Sequence, residues 1–224
     1  MITVHHLNNS RSQRILWLLE ELGLEYDIKY YERDPQTMLA PASLHAIHPL
    51  GKSPVITDGD LTIAESGAII EYLLEKYGDG RLIPALDDPE RLRYTYWLHY
   101  AEGSLMPQLL MKLAFERVAH SPMPFLIAPI AKLIANQAKS THIEPEITKH
   151  LDYLEAEIQK TKWFAGEEFT AADIQMSFPL EAAVAQANLG ANYSFLMDFV
   201  SRIHSRPAYQ KALERGGVYN LSFS

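Results

Sequence analysis

Residues Gly51 to Leu73, GKSPVITDGDLTIAESGAIIEYL, hold the densest chemistry in the chain. Pro54 follows a glycine-containing turn and opens a short β-type run, Val55-Ile56-Thr57. The turn Asp58-Gly59-Asp60 leads to Leu61-Thr62-Ile63, and Glu65-Ser66 stands where an amphipathic pattern begins. The segment predicts a hairpin running into a helix, with a polar pair placed where helix N–H groups point outward. Such a terminus is a ready carboxylate site, so the arrangement suits a small anionic, peptide-like ligand. Simple capping also accounts for Glu65 and Ser66, since both residue types act at helix starts. The chain has no cysteine. Disulfides, thiolate metal sites, cysteine nucleophiles and CxxC redox pairs are thereby excluded, and any thiol chemistry must use a thiol that arrives with the ligand.

The positioning elements divide into two textures. Ile2–Leu7 reads as a strand, and Arg11–Leu22 carries Ile15, Leu18, Leu19 and Leu22 at helical spacing with Gly23 as a stop. Glu25–Tyr31 predicts a second strand with Tyr26, Ile28 and Tyr30 on one face, and a helix is expected over about Pro35–Ala46. Hairpin strands near 54–57 and 60–63 follow, then a helix over 65–77. The order is βαβ-α-ββα, in which the first unit requires a parallel pair and the hairpin an antiparallel one. A turn-rich linker, Gly78–Asp88, separates this part from a chain that is helical nearly throughout. A helix is expected over 89–105, with Pro107 kinking or interrupting it. The pattern continues over 108–118, breaks at 120–124, and resumes over 125–138; Ile147, Leu151, Leu154 and Ile158 mark the next helix. Phe169-Thr170-Ala171-Ala172-Asp173-Ile174 has the form of a capping box with a hydrophobic staple, a folding element.

Composition sets wider bounds. The 224 residues, 47% hydrophobic and 21% charged, are those of an ordinary globular protein with a substantial core. A formal net charge of −8, with no basic cluster, argues against a nucleic-acid partner. No apolar stretch reaches the ~18 residues of a membrane span, and Met1–Ser10 lacks the regions of a signal peptide. A cytoplasmic protein with no membrane partner is expected. His5 and His6, adjacent in a strand, must face opposite sides, so one is expected to be buried. The nine histidines lack spaced acidic partners and make no case for a metal.

A small α/β domain followed by an all-helical one, bearing these motifs, resembles the cytosolic glutathione S-transferases over nearly the whole chain. The resemblance rests on the turn Asn8-Asn9-Ser10-Arg11-Ser12 with Arg14 opening the first helix, HPLGKSPV at 48–55, AES at 64–66 and FTAAD at 169–173. It is similar in particular to bacterial and fungal serine-type members. It implies a thioredoxin-like domain over 1–78, a linker over 79–88 and an all-α bundle over 89–224 contributing the electrophile site. It further implies a cis bond before Pro54, glutathione as cosubstrate, and a homodimer.

The same resemblance distributes roles. Ser53, before Pro54, is expected to pair its backbone with the cysteinyl unit of glutathione. Ser66 and the helix terminus take the γ-glutamyl carboxylate, Glu65 the ammonium group, and Lys52 the glycine carboxylate, although Lys52 also suits a solvated turn. A free thiol has a pKa near ~8.5, so the enzyme must stabilise the thiolate. Ser10, four residues before Arg14, is the first choice as hydroxyl donor to sulfur, with Ser12 and Asn9 as close rivals; capping of the first helix is the alternative role. Tyr96, Tyr100, Ser104 and Met106 are expected to line the site of a small hydrophobic electrophile, or else to be core. Thiolate attack on an electrophilic carbon is the leading activity. Glutathione-dependent disulfide or peroxide reduction uses the same thiolate, and a non-catalytic interaction module would reuse the fold alone.

Overall fold

The computed structural model describes residues 1–34, 37–186, 190–217 and 219–221. A four-stranded sheet of order β2-β1-β3-β4 is built from β1 (Ile2–Leu7), β2 (Tyr26–Tyr31), β3 (Val55–Asp58) and β4 (Leu61–Ala64). β1 runs parallel to β2 and antiparallel to β3, and β3–β4 is the expected hairpin. Helix α1 (Ser12–Leu22) makes the βα crossover and stops at Gly23, whose φ of 66° is the left-handed conformation glycine adopts freely. Helix α3 (Ser66–Tyr77) follows the hairpin. This is the mixed-sheet, thioredoxin-like order read from the sequence.

Two expectations near the sheet need correction. The helix expected over 35–46 shrinks to α2, Ala42–His45, with Pro35 and Gln36 outside the described residues. Asp34 Oδ1 accepts from the Thr37 N–H at 2.7 Å, Met38 has a φ of 59°, and Pro41 is extended at ψ 157°. An aspartate turn and a proline thus replace the helical bonds this stretch would have made. His5 and His6 do face opposite sides, yet both are buried, at 4% and 5% exposure. The Leu7, Tyr31 and Leu44 cluster covers one face of the sheet. The main core, which includes Val4, Ile15, Leu18 and Ile70, covers the other.

The rest is helical: α4 (Glu90–Tyr100), α5 (Met106–His120), α6 (Ala128–Ala138), α7 (Glu144–Ile158), α8 (Ala171–Gln186), α9 (Ser194–His204) and α10 (Pro207–Gly216). Pro107 does not interrupt its helix. Instead α4 joins α5 through a widened π-helical turn at Ala101–Leu105, and α6 joins α7 through another at Lys139–Ile143, just before Pro145. A proline ring clashes with the carbonyl four residues back and donates no bond to it. A wider turn relieves both defects. The capping box forms with one bond reversed. Asp173 accepts from the Thr170 N–H at 2.8 Å and the Phe164 N–H at 2.9 Å, while the Thr170 hydroxyl donates to Asp173 at 3.2 Å instead of accepting from the helix. The Phe169 ring packs between Trp17 and Trp163. One continuous core runs from Ile15 and Trp17 of α1 through Ile69 of α3 to Leu98 and Leu180 of the helical part. No helix among the described residues is long and apolar enough to cross a membrane.

Asp58, at the end of β3, ties the hairpin to α3 by accepting from Tyr72 at 2.7 Å, from Lys76 at 2.8 Å and from Tyr77. The Lys76 ammonium and the tyrosine hydroxyls hold its carboxyl well below the usual carboxylate range. A depressed folded-state pKa contributes stability that is present above the unfolded value near ~3.9 and lost as pH falls below it. Asp58→Asn should therefore lower the urea midpoint at pH 7 and narrow its gap to wild type below about pH 4. A gap that stays constant down to pH 2 contradicts this role.

Candidate functional site

The turn joining β1 to α1 is fixed from three sides. Asn8 donates its N–H to the Tyr31 carbonyl at 3.1 Å and accepts from the Arg33 N–H on its side chain at 3.0 Å. Asn9 has a φ of 48°, and its side-chain oxygen accepts from the Asn220 N–H at 2.8 Å. Ser10 is 4% exposed, with its hydroxyl 2.7 Å from Ser12 Oγ and donating to Ser53 Oγ at 3.2 Å. Ser53 in turn donates to the His5 carbonyl at 3.2 Å, and its peptide bond to Pro54 is cis, as the resemblance implied. Ser12, fully buried, lies 2.9 Å from Nδ1 of His6. Ser10 and Ser12 thus bond each other, strand β1 and the turn before β3, where capping alone would have turned them into α1.

Opposite this turn lies the start of α3. Glu65 is a non-glycine residue at φ 72° that makes no side-chain cap bond and stays exposed. Backbone in that region is costly for a residue with a Cβ and marks functional positions. Ser66 is 3% exposed and accepts a bond from Arg14 at 3.0 Å. Neither residue caps, so the first N–H groups of α3 stay directed outward, as helix termini leave them. With its lone pair engaged by Arg14, the Ser66 hydroxyl keeps its own proton available for an acceptor.

Arg14 organises the space between. Its guanidinium, 1% exposed, donates to the Gln175 carbonyl at 2.6 Å, to Ser66, and to Glu102 at 2.5 Å. Arg11 binds the same carboxylate through Nε at 2.9 and 3.0 Å and lies 5.0 Å over the Phe178 ring. The two arginines hold the Glu102 carboxyl below its usual range against the opposing effect of its burial. Burial pulls Arg14 down, and Glu102 counters this.

The candidate ligand-holding residues fall at the two helix starts that Arg14 joins. Ser10, Ser53 and Pro54 adjoin, Ser66 is linked through Arg14, and Lys52 is exposed beside them on a turn shaped by Gly51. A side chain at Gly51, whose φ is 55°, would strike the His45 ring at 2.4 Å. The electrophile candidates do not gather. Tyr100 is 7% exposed and bonded to His150, and Met106 is 3% exposed in the core. Tyr96 lines a separate groove with Leu92, Trp97 and Tyr153. The widened turn before Pro107 shifts the face of Met106 beyond it, because each extra residue rotates a helix face by about 100°, whereas Tyr100 in α4 is drawn inward against Trp97 and His150. Ser104 is half-buried within that turn, two residues from Glu102. His6 and Glu102 are members of the site's bonding network that the sequence reading passed over. Alternation set His6 on the face opposite His5, but nothing in the pattern marks Glu102.

Two family models match the chain: "Glutathione S-transferase, N-terminal domain" over residues 1–75 and "Glutathione S-transferase, C-terminal domain" over 113–207. Glutathione S-transferase 3 of Schizosaccharomyces pombe is 37% identical, covering 96% of this chain and 88% of its own. Glutathione S-transferase 1 of Saccharomyces cerevisiae is 33% identical over 100% of this chain and 98% of its own. A crystal structure of a glutathione S-transferase from Actinobacillus pleuropneumoniae superposes with a TM-score of 0.82 at 34% identity, covering 100% and 97% of the two chains.

Glu102→Ala leaves the buried Arg14 without its counter-charge, which should cost about 3 kcal/mol of unfolding free energy in urea. Glu102→Gln keeps an acceptor and should cost less. A loss under about 1 kcal/mol for the alanine variant contradicts the assignment.

Proposed function

With the chain belonging to the glutathione S-transferase family, we propose that Ser10 is the hydroxyl that donates to the glutathione sulfur and that α3 holds the γ-glutamyl end. The chain is an enzyme of glutathione conjugation, as its relatives are. The observation that carries the residue assignment is the Ser10 hydroxyl 3.2 Å from Ser53 Oγ, beside the cis Pro54. A hydroxyl at the start of α1 stabilises sulfur's negative charge there, with the helix terminus adding its partial positive charge. Asn9 is the weaker rival, since its side-chain oxygen is engaged by the Asn220 N–H. Ser12 stands one hydroxyl further back, toward His6.

Around that centre the Ser53 backbone pairs with the cysteinyl unit. Ser66 and the α3 N–H groups take the γ-glutamyl carboxylate, Glu65 its ammonium group, and Lys52 the glycine carboxylate. The first 78 residues form the glutathione-binding domain, 79–88 the linker, and 89–224 the helical domain facing the electrophile. The electrophile is small and hydrophobic, and of the four residues expected to touch it Ser104 alone retains a suitable place. Detoxification in the cytoplasm is the proposed setting.

A homodimer belongs to the same reading. Tyr94 and Trp97 of α4 are core residues at 2% and 1% exposure. Leu92 at 78% exposure and Tyr96 at 45% are the exposed large apolar residues of α4, and they edge the groove against Tyr153. Apolar side chains so displayed support association with a second copy.

Ser10→Ala should abolish the ultraviolet thiolate band of bound glutathione and lower kcat/KM about 100-fold, while calorimetric affinity for glutathione changes less than about 3-fold. Retention of the band moves the role to Asn9, Ser12 or backbone N–H groups. Leu92→Glu should convert a sedimenting dimer to monomer at micromolar concentration. A wild type that sediments as monomer removes the dimer.

A further inference from the structure

Exposed apolar side chains crowd one stretch of the helical part, before and within α6. Phe125, Leu126, Ile127, Ile130, Leu133 and Ile134 are between 52% and 82% exposed. Single outward apolar residues are ordinary on a surface, but a group of this size marks an interaction site. The backbone that displays them is set by prolines. Pro122 and Pro124 interrupt the helical path after α5, and the N–H groups of Ile127 and Ala128 both bond the Pro124 carbonyl, at 2.9 and 3.1 Å. Pro129 then opens α6, where its missing N–H would have had no partner anyway. Within α6, Ile130, Leu133 and Ile134 stand at helical spacing on one face. Ala135, the one buried residue of α6, points to another side. The core therefore holds α6 by its back and leaves the apolar face outside.

The charge of the same stretch sets it apart. From Arg117 to Ile143 there is no Asp or Glu, while Arg117, Lys132 and Lys139 add positive charge, in a chain whose formal net charge is −8. Lys132 and Lys139, seven residues apart, share the side of α6 away from its apolar face. Among the described residues no carboxylate pairs with any of these three cations. On α7, by contrast, Lys149 is answered by Glu146. A helix with an apolar face, a basic face and no acid suits the interface of an anionic bilayer, with its lysine stems reaching back to the headgroups. A second copy is a poorer fit. A two-fold contact would set the same basic surface against itself, with no carboxylate in the stretch to answer it.

We propose that residues 125–139 form a docking surface for an anionic lipid bilayer, with α6 lying in the plane of the interface. The apolar residues of the turn and of α6 enter the boundary between headgroups and acyl chains, and Arg117, Lys132 and Lys139 meet lipid phosphates. Such binding needs no spanning segment, so the lack of one among the described helices does not oppose it. It is reversible, because one short helix buries little apolar area and its charge attraction is screened by salt. The surface shares no residue with the groove of Leu92, Tyr96 and Tyr153.

Flotation of the full chain with lipid vesicles through a density gradient tests this. Wild type should float with vesicles of equal phosphatidylcholine and phosphatidylglycerol, stay at the bottom with phosphatidylcholine alone, and lose most of its binding in ~0.5 M salt. The double variant Leu133→Glu, Ile134→Glu should abolish flotation, and Lys132→Gln, Lys139→Gln should weaken it about 10-fold. Both alter outward residues, so the urea midpoint should stay that of wild type. Wild type that stays at the bottom with anionic vesicles overturns the proposal. So does equal flotation with neutral vesicles, or flotation that survives the glutamates. Sedimentation addresses the other occupant: an assembly that the glutamates dissolve, with no flotation of wild type, gives the face to a second copy and overturns the proposal as well.

Discussion

A buried guanidinium holds this protein's two halves and its reaction centre in register. Arg14 sits in the first turn of α1, and its donors reach Ser66 on α3, Glu102 in the widened turn and the Gln175 carbonyl on α8. A charge buried this deeply is tolerable only with a counter-charge and near-complete hydrogen bonding. Each partner must therefore arrive in place for the others to be satisfied. The constraint also acts on chemistry: it brings the start of α1, where the serines lie, against the start of α3, where a carboxylate can be held. Because Arg14 occupies a lone pair of Ser66, the serine's proton is left for a ligand.

The local irregularities of the chain serve the same geometry. Asn9 and Glu65 both adopt positive φ, one in the turn before α1 and the other at the start of α3. Glu102 lies on the π-helical turn that Pro107 provokes, so the acid that balances Arg14 and Arg11 is presented by a distortion of the helix. Behind the serines the polypeptide closes from its far end. The Asn220 N–H bonds the Asn9 side chain, and Gly216 lies against the His6 ring, so the far end of the chain packs on β1 and the turn that follows it.

Much of this was legible beforehand, for identifiable reasons. Ile15, Leu18, Leu19 and Leu22 give α1 by period, Gly23 stops it, and Asp58-Gly59-Asp60 turns the hairpin; each is a local signal, and each held. Ser10, Ser53 and Ser66 could be named as candidates because turns and helix starts are local too. What escaped depended on distant partners or on added residues. The short α2 follows from Asp34 capturing the Thr37 N–H. Met106 turned inward because periodicity carried across 101–105 misassigns the faces beyond a wider turn, and Tyr100 because His150, fifty positions away, meets its hydroxyl. His6 was one of two alternating histidines, and its bond to Ser12 needs the fold that returns α1 onto β1. Nor does any pattern pair Glu102 with Arg14, 88 positions away.

The central claim is that this turn presents the Ser10 hydroxyl to the sulfur while Ser66, held by Arg14, takes the far end of the same ligand. A crystal structure of the protein with glutathione tests it most directly. The account predicts sulfur within about 3.5 Å of Ser10 Oγ, the γ-glutamyl carboxylate on Ser66 and the α3 N–H groups, and the Arg14–Ser66 bond intact. Sulfur facing Asn9 with Ser10 turned away, or a carboxylate bound elsewhere with the Arg14–Ser66 bond broken, would contradict it.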